Sequence, residues 1–134
     1  MKKYEILPHA ADLQIKVFGK TKEELFLNAL FAMGEQQQAQ PAKEAVIERD
    51  IEIKSIDSEA LLVDFLSEAL YLSQVNKESY FDAKFDKFSD TGLSGKIFGR
   101  KAKSFGEDIK AVTFHRLKIE KKSGIFETLI VFDI

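Results

Sequence analysis

The first regular pattern in the chain is an alternation of apolar and polar residues that begins at Leu13. Leu13, Ile15 and Val17 fall on one side, and the residues between them are polar. Successive side chains of a β-strand point to opposite faces of the sheet. The alternation therefore predicts a half-buried strand over residues 14–19.

A helical pattern follows this strand. Thr21 precedes Glu24 by three residues, which is the spacing of a capping box that satisfies two backbone N–H groups at a helix start. Apolar residues then recur at helical spacing: Leu25, Phe26, Ala29, Leu30 and Met33. We predict an amphipathic helix that stops at Gly34, because glycine is a common helix terminator. The glutamine-rich segment 35–41 after it is interpreted as a polar connection.

The middle of the chain repeats the order of strand and helix. Alternation over residues 45–53 predicts a strand with one apolar face. Asp57 or Ser58 is suited to cap a second helix. The apolar stripe of this helix is wide, which favours a central position against a sheet. The stripe is formed by Leu61, Leu62, Phe65, Leu66, Ala69, Leu70 and Leu72.

The last third of the chain has the pattern of two β-hairpins. Segments 80–88 and 93–101 flank the turn 90–92, and segments 110–120 and 125–134 flank the turn 121–124. Both turns contain glycine, as tight hairpin turns often do. Strands that cluster after two helices predict an α+β fold, with two helices packed on one side of a largely antiparallel β-sheet. A more mixed sheet is the alternative.

Composition limits the class of protein. A chain of 134 residues is near the commonest domain size, so we expect a single domain over residues 1–134. The 12 phenylalanines, without tryptophan, predict a phenylalanine-rich core. Since cysteine is absent, disulfides, thiolate nucleophiles and cysteine-based zinc sites are excluded. This composition suits a reducing compartment, and we expect a cytoplasmic protein.

Two further classes of protein are disfavoured by the sequence. The N-terminal sequence MKKYEILPHAADLQ lacks the apolar core of a signal peptide, and no apolar run approaches the roughly 20 residues of a membrane helix. We therefore expect no membrane association. The formal net charge of −2 argues against broad nucleic-acid binding through a basic surface.

The candidates for chemistry include acids at both ends of the chain. Asp12 follows His9 in a segment between Pro8 and the first predicted strand, where functional side chains often occur. The alternative for Asp12 is a turn-capping role. Asp133 lies at the end of the apolar face formed by Leu129 and Val131, where a carboxylate is unfavourable unless it is paired, coordinated or at the rim.

The acids could form a metal site. If Ile134 is the end of the chain, its α-carboxylate and Asp133 would give a compact set of oxygen ligands. Such sets suit calcium, magnesium or manganese better than zinc or copper. The alternative is that Asp133 is an exposed acid at the chain end.

Three other polar residues have a structural and a functional interpretation. We expect His115 to share a strand face with Leu117 and Ile119, either as a satisfied core residue or as an imidazole that orients a carboxylate. Lys110 would ordinarily be a solvated charge at a strand end. Asp64 faces away from the apolar stripe of the second helix, where a solvated role is the simpler interpretation.

Several enzyme signatures are absent from the sequence. It contains no glycine-rich phosphate loop, no dinucleotide-binding fingerprint and no His-Glu-x-x-His motif. With two histidines and no cysteine, a nucleophile–base triad is difficult to assemble.

Four segments together resemble the archease family. They are HAAD with GKTKEELFLNALFAM, then EALLVDFLSEALYL, DIKAVTFHRLKI and LIVFDI, in this order along nearly the whole chain. The resemblance implies an accessory protein, without catalysis of its own, for an RtcB-type RNA ligase in tRNA splicing and RNA repair. Such a ligase takes GMP from GTP onto its own histidine with manganese. Archease promotes this guanylylation and multiple turnover, and it would meet tRNA only through the ligase.

The resemblance also implies a divalent-metal site at the sheet tip, with calcium favoured and magnesium or manganese as alternatives. Asp12, Asp133 and Ile134 match the metal-binding positions. Four further residues match family-typical positions and would support the site or contact the partner: His9, Asp64, Lys110 and His115. The sequence departs from the family at Ala10, where threonine is usual, so a hydroxyl near Asp12 is missing.

Two other functions stay open at this stage. The acids could hold a metal that activates water, which would make the chain a metal-dependent phosphoester hydrolase. Alternatively, the protein could act as a chaperone or modulator of several RNA-processing proteins.

Overall fold

Within residues 1–8, 12–115 and 117–134, which this computed structural model describes, the chain forms two antiparallel sheets and two helices. The helices are α1 (Lys22–Gln36) and α2 (Ser58–Asn76). The strands are β1 (Tyr4–Leu7), β2 (Leu13–Gly19), β3 (Ala39–Lys54), β4 (Glu78–Phe88), β5 (Gly92–Phe105), β6 (Ala111–Thr113), β7 (Glu120–Lys122) and β8 (Ile125–Asp133). No helix in this described part of the chain has the length and apolar character needed to cross a membrane.

The predicted α+β fold is confirmed, and the strands divide between two sheets. The first sheet has the order β1-β2-β8-β6, with β7 also paired to β8, and the second has the order β3-β5-β4. All of these pairings are antiparallel. Helix α1 contacts β2 and β4, and α2 contacts β4 and β6, so each helix touches both sheets. One hydrophobic cluster joins the helices to the sheets.

The core is rich in phenylalanine, as the composition predicted. The ring of Phe26 on α1 meets that of Phe88 edge to face at 5.0 Å between centroids, and Phe65 on α2 meets Phe85 at 5.6 Å. Edge-to-face aromatic pairs add to the stabilisation from apolar burial alone. These contacts fix both helices against β4.

Both helices begin at the predicted caps. The Thr21 hydroxyl accepts a hydrogen bond from the Glu24 N–H at 3.1 Å, and the Asp57 carboxylate accepts one from the Ala60 N–H at 2.8 Å. The capping box is shifted slightly, because the Glu24 carboxylate accepts from the Lys20 N–H, one residue before the cap.

The predicted end of α1 is wrong. The helix continues through Gly34 to Gln36 and β3 begins at Ala39, so within segment 35–41 only residues 37–38 form the connecting turn. A Cβ atom at Gly34 would overlap the carbonyl oxygen of Tyr80 on β4. Glycine is therefore needed here for close approach of the helix to the strand, rather than for termination.

Gly34→Ala tests this packing role. We expect the added methyl group to destabilise the protein by about 1–3 kcal/mol through overpacking, although alanine favours helix by about 1 kcal/mol. Urea unfolding measures the difference. Gly92→Ala is the matched control, since its Cβ atom would have its nearest neighbour at 3.4 Å. Equal stability of Gly34→Ala and the parent chain would contradict the close-packing explanation.

The predicted strand over 110–120 is also wrong in its middle. Only 111–113 and 120–122 pair with β8, and the described residues between them are not in a strand. The Leu117 N–H donates to the Phe114 carbonyl at 3.0 Å, and the Ile119 N–H donates to the Glu59 carboxylate at 3.1 Å. Because these bonds occupy the two N–H groups, the groups do not pair with β8.

Candidate functional site

The register of three strands brings the two predicted acids to one end of the first sheet. Leu13 of β2 is the partner of Phe132 of β8, and Ala111 of β6 is the partner of Asp133. Asp12 and Asp133 therefore occupy the next positions beyond the last pair of the β2–β8 ladder. We call this end, formed by Asp12, Lys110, Asp133 and Ile134, the carboxylate edge.

Buried neighbours fix the direction of these side chains. Phe132 is 0% exposed and belongs to the core, together with Leu13, which packs against it. Because side chains alternate along a strand, Asp12 and Asp133 point to the other face. Val131 on that face is buried, whereas Asp133 is exposed. Asp133 thus lies at the exposed rim of an apolar face, which also fits the alternative of an exposed acid.

Hydrogen bonds hold the carboxylate edge together. The Gln14 side-chain amide donates to Asp12 Oδ1 at 3.3 Å, and the Lys110 N–H donates to the Asp133 carbonyl at 2.7 Å. From α2, the Gln74 amide donates to the Ile109 carbonyl at 2.9 Å, which ties the segment before Lys110 to the helix. Segment 109–111 is therefore fixed from two sides.

Gln14 was not identified as a site residue from the sequence. The signal was nevertheless present, because Gln14 lies two residues after Asp12 and so shares its face of the strand.

The electrostatics of the carboxylate edge favour a cation. Two carboxylates at neighbouring positions of paired strands repel each other. Lys110 is the basic member of the edge. A hard divalent cation would relieve the repulsion and take oxygen ligands of this type. The described residues contain no group of three or more Asp, Glu or His arranged to hold a metal ion, so the aspartate side chains alone are too few.

Asp64 does not join this edge. It is exposed on α2, and its carboxylate accepts a hydrogen bond from the Ser55 hydroxyl at 2.5 Å. It lies ten residues before Gln74, which is about 15 Å along the helix axis. A direct role for Asp64 at the carboxylate edge is therefore not supported by its position.

The prediction for His115 is wrong. His115 lies in a turn after β6, is exposed, and does not share a strand face with Leu117 and Ile119. Its backbone N–H donates to the Thr113 hydroxyl at 3.3 Å. The expected role of His9 and the replacement at Ala10 fall outside the described residues.

Comparison with known proteins decides the family. The model of the archease protein family (MTH1598/TM1083) matches residues 4–134. The chain belongs to the archease family. Protein archease from Methanosarcina mazei is 34% identical over 99% of this chain and 97% of its own length. Protein archease from Methanothermobacter thermautotrophicus is 34% identical over the full length of both chains.

Solved structures agree with this assignment. The solution structure of Methanobacterium thermoautotrophicum protein 1598 covers 100% of both chains with a TM-score of 0.77 and 30% identity. A crystal structure from Thermotoga maritima, described as an archease and possible chaperone, covers 96% of this chain and 94% of its own with a TM-score of 0.71. At 24% identity, the second structure supports the fold alone.

Proposed function

We propose that this archease activates an RtcB-type RNA ligase in tRNA splicing and RNA repair. In this proposal it promotes guanylylation of the ligase with GTP, and multiple turnover, without catalysing a reaction itself. The observation that supports this is the strand register that brings Asp12 and Asp133 to one end of the sheet. The tRNA would be reached only through the ligase, in keeping with a net charge of −2.

The carboxylate edge would hold a divalent cation through Asp12, Asp133 and the α-carboxylate of Ile134. Calcium takes six to eight oxygen ligands, so these three residues would leave positions for water or for groups of a partner. Magnesium and manganese accept the same ligand type and are the alternatives. The bound cation would supply positive charge at an otherwise acidic end of the protein.

The residues of this chain would act by positioning and charge. Phe132 and Leu13 anchor the strand ends in the core, and the Lys110 N–H holds the Asp133 carbonyl. The Lys110 side chain is exposed beside the acids, where it can meet a phosphate or an acidic group of the ligase. Fixed charges placed beside a nucleotide site assist phosphoryl chemistry without a new catalytic group.

Exposed apolar side chains near the edge support a protein partner. Tyr71 and Val75 are one helical turn apart on α2, and their exposed fractions are 59% and 61%. They flank Gln74, which is bonded to the segment that carries Lys110. Such side chains would bury apolar surface against a partner that docks at this face of α2.

The direct test is guanylylation of the cognate ligase. With GTP, manganese and catalytic amounts of this archease, we expect faster formation of the ligase–GMP adduct and more than one ligation per ligase. Lys110→Ala should reduce the effect by about tenfold, as expected for the loss of one charge-assisted contact. Lys96→Ala is the control, because Lys96 lies on the second sheet and pairs with Asp50.

An unchanged rate and unchanged turnover with the parent chain would reject activation of the ligase. An equal loss in the two lysine variants would reject the specific role of Lys110 while leaving activation in place.

A broader chaperone role is the second candidate, because the exposed Tyr71 and Val75 could contact more than one partner protein. It predicts capture of several RNA-processing proteins by the immobilised chain, and capture of the ligase alone would count against it. A metal-dependent hydrolase has less support, because His115 lies in a turn and not on the strand face predicted for it. It would require phosphoester cleavage by the purified chain.

A further inference from the structure

A second candidate site lies between α1, the end of β2 and the edge strand β4. Here a cavity of about 630 Å³ opens to solvent. Its principal lining side chains are Lys3, Lys20, Glu24, Phe31, Phe81 and Asp82. Ligand pockets in proteins commonly have volumes of about 300–1,000 Å³ and combine apolar walls with a few polar groups.

Two local features shape the apolar walls. On α1, Leu27 and Phe31 are one turn apart and line the same cavity. On β4, the register with β5 shifts between Tyr80 and Asp82, so Phe81 lies in a bulge. Bulges re-aim side chains and are common beside functional sites. A smaller neighbouring cavity of about 240 Å³ is also lined by Phe31 and Phe81, so the aromatic walls extend beyond the first cavity.

Two lysines at this cavity can attract an anionic group, although the lining also contains two acids. Within the described residues, neither the Lys3 nor the Lys20 ammonium forms a salt bridge. By contrast, Lys22 at the cavity beside the start of α2 pairs with Asp90 at 2.8 Å. The two lysines of the first cavity are therefore available to an anionic ligand.

The two acids at the cavity are each engaged by backbone N–H groups. Glu24 Oε1 accepts from the Lys20 N–H at 2.9 Å, and Asp82 Oδ1 accepts from the Ala83 N–H at 2.9 Å. Each carboxylate has further lone pairs and can accept a hydrogen bond from a ligand. They would repel a bare anion but could bind one that also carries N–H donors.

The faces of both phenylalanine rings attract cations. Lys3 Nζ lies 4.4 Å from the centroid of Phe31, and the Arg100 guanidinium carbon lies 4.6 Å from that of Phe81. A ligand with a flat aromatic ring can stack on such faces, as nucleic-acid bases do on aromatic side chains. Lys3 would then be free to move from the Phe31 ring to the anionic group of the ligand.

We infer that this cavity binds a small anion that carries an aromatic ring with N–H donors, of the nucleoside monophosphate class. The ring would pack against Phe31 and Phe81, and the phosphate would lie near Lys3 and Lys20. Guanine presents two adjacent N–H donors and suits a carboxylate acceptor such as Glu24 or Asp82. The inference does not depend on the ligase and goes beyond its activation.

The test uses the ¹⁵N-labelled chain alone, titrated in separate arms with GMP, guanosine and inorganic phosphate. We expect GMP to shift the backbone amide signals of Lys20, Phe31 and Phe81 with a Kd below about 1 mM. Guanosine and phosphate should each bind at least about tenfold more weakly, since each lacks one half of the contacts. Binding of phosphate as tight as that of GMP would overturn the inference, as would the absence of GMP-dependent shifts.

Matched variants locate the site. Lys20→Ala and Phe81→Ser should each weaken GMP binding by about tenfold, while Lys96→Ala should leave it unchanged. Lys20 is exposed, so its variant tests the site even if Phe81→Ser perturbs the fold. Equal GMP binding by Lys20→Ala and Lys96→Ala would overturn the assignment.

Discussion

Replacing Glu78 with alanine is expected to destabilise the protein by about 1.5–3 kcal/mol, the range typical for the loss of hydrogen bonds to a buried charged group. Glu78 opens β4 directly after α2, and its side chain is 0% exposed. Its carboxylate accepts from Arg49 at 3.0 and 2.7 Å and from the Tyr80 hydroxyl at 2.6 Å. Lys101 Nζ lies 3.5 Å away. Truncation would leave the buried Tyr80 hydroxyl and the Arg49 guanidinium without this acceptor.

The Glu78 carboxylate also makes the stability of the fold depend on pH. Burial raises the pKa of Glu78, but the hydrogen bonds from Arg49 and Tyr80 and the charges of Arg49 and Lys101 outweigh it. The net pKa is below the ordinary value of 4.5. The ionised form therefore stabilises the fold at pH values above about 4.5, and this contribution is lost as the pH falls through the lower, folded-state pKa.

Urea unfolding at a series of pH values measures both effects. Glu78→Gln should reduce stability at pH 7 and flatten its decline in acid. Asp50→Ala is the control on the same sheet, because its exposed pair with Lys96 at 2.7 Å should contribute about 1 kcal/mol or less. Similar losses for the Glu78 and Asp50 variants would contradict a special contribution from the buried cluster.

Local patterns in the sequence predicted much of the fold. The caps at Thr21 and Asp57 and the hairpin of β4 and β5 follow from short-range chemistry, and the structure has all three. The role of Gly34 could not be found in this way, because it depends on the approach of Tyr80, which is remote in sequence. The division of the strands into two sheets likewise depends on long-range pairing that alternation does not encode.

The candidate site, like the two sheets, depends on long-range strand pairing that local sequence patterns do not encode. The alternation of residues along β8 puts Asp133 at the end of an apolar face. Only the pairing of β2 with β8 brings Asp12 beside it. The sequence predicts a strand at His115 because residues 110–120 and 125–134 flank a glycine-containing turn. That pattern could not reveal that the Glu59 carboxylate accepts the Ile119 N–H. The metal site is implied by the family resemblance alone, and the presence of a metal stays a prediction.

Asp12→Ala and Asp133→Ala are each expected to weaken calcium binding by about 10–100-fold or more. Loss of a residue that only hydrogen-bonds to a metal ligand commonly lowers metal affinity by this factor, and loss of a ligand should lower it at least as much. Both side chains lie at the rim of the sheet, and their removal relieves the repulsion between neighbouring carboxylates. The metal-free Asp133→Ala variant should therefore be as stable as the parent chain, whereas Asp12→Ala also loses the hydrogen bond from Gln14, which is worth about 1 kcal/mol. Isothermal titration with calcium, magnesium and manganese measures affinity, and thermal unfolding with and without calcium measures the linked stabilisation.

Asp64→Ala is the matched control, since it removes an exposed carboxylate about 15 Å along α2 from Gln74. Removing Ile134, or extending the chain beyond it, should weaken binding as the aspartate variants do if its α-carboxylate is a ligand. Unchanged titrations in the Asp12 and Asp133 variants would reject the site. Lost metal binding with full activation of the ligase would instead separate the metal from the function, and Lys110 and the apolar surface of α2 would then have to account for activation.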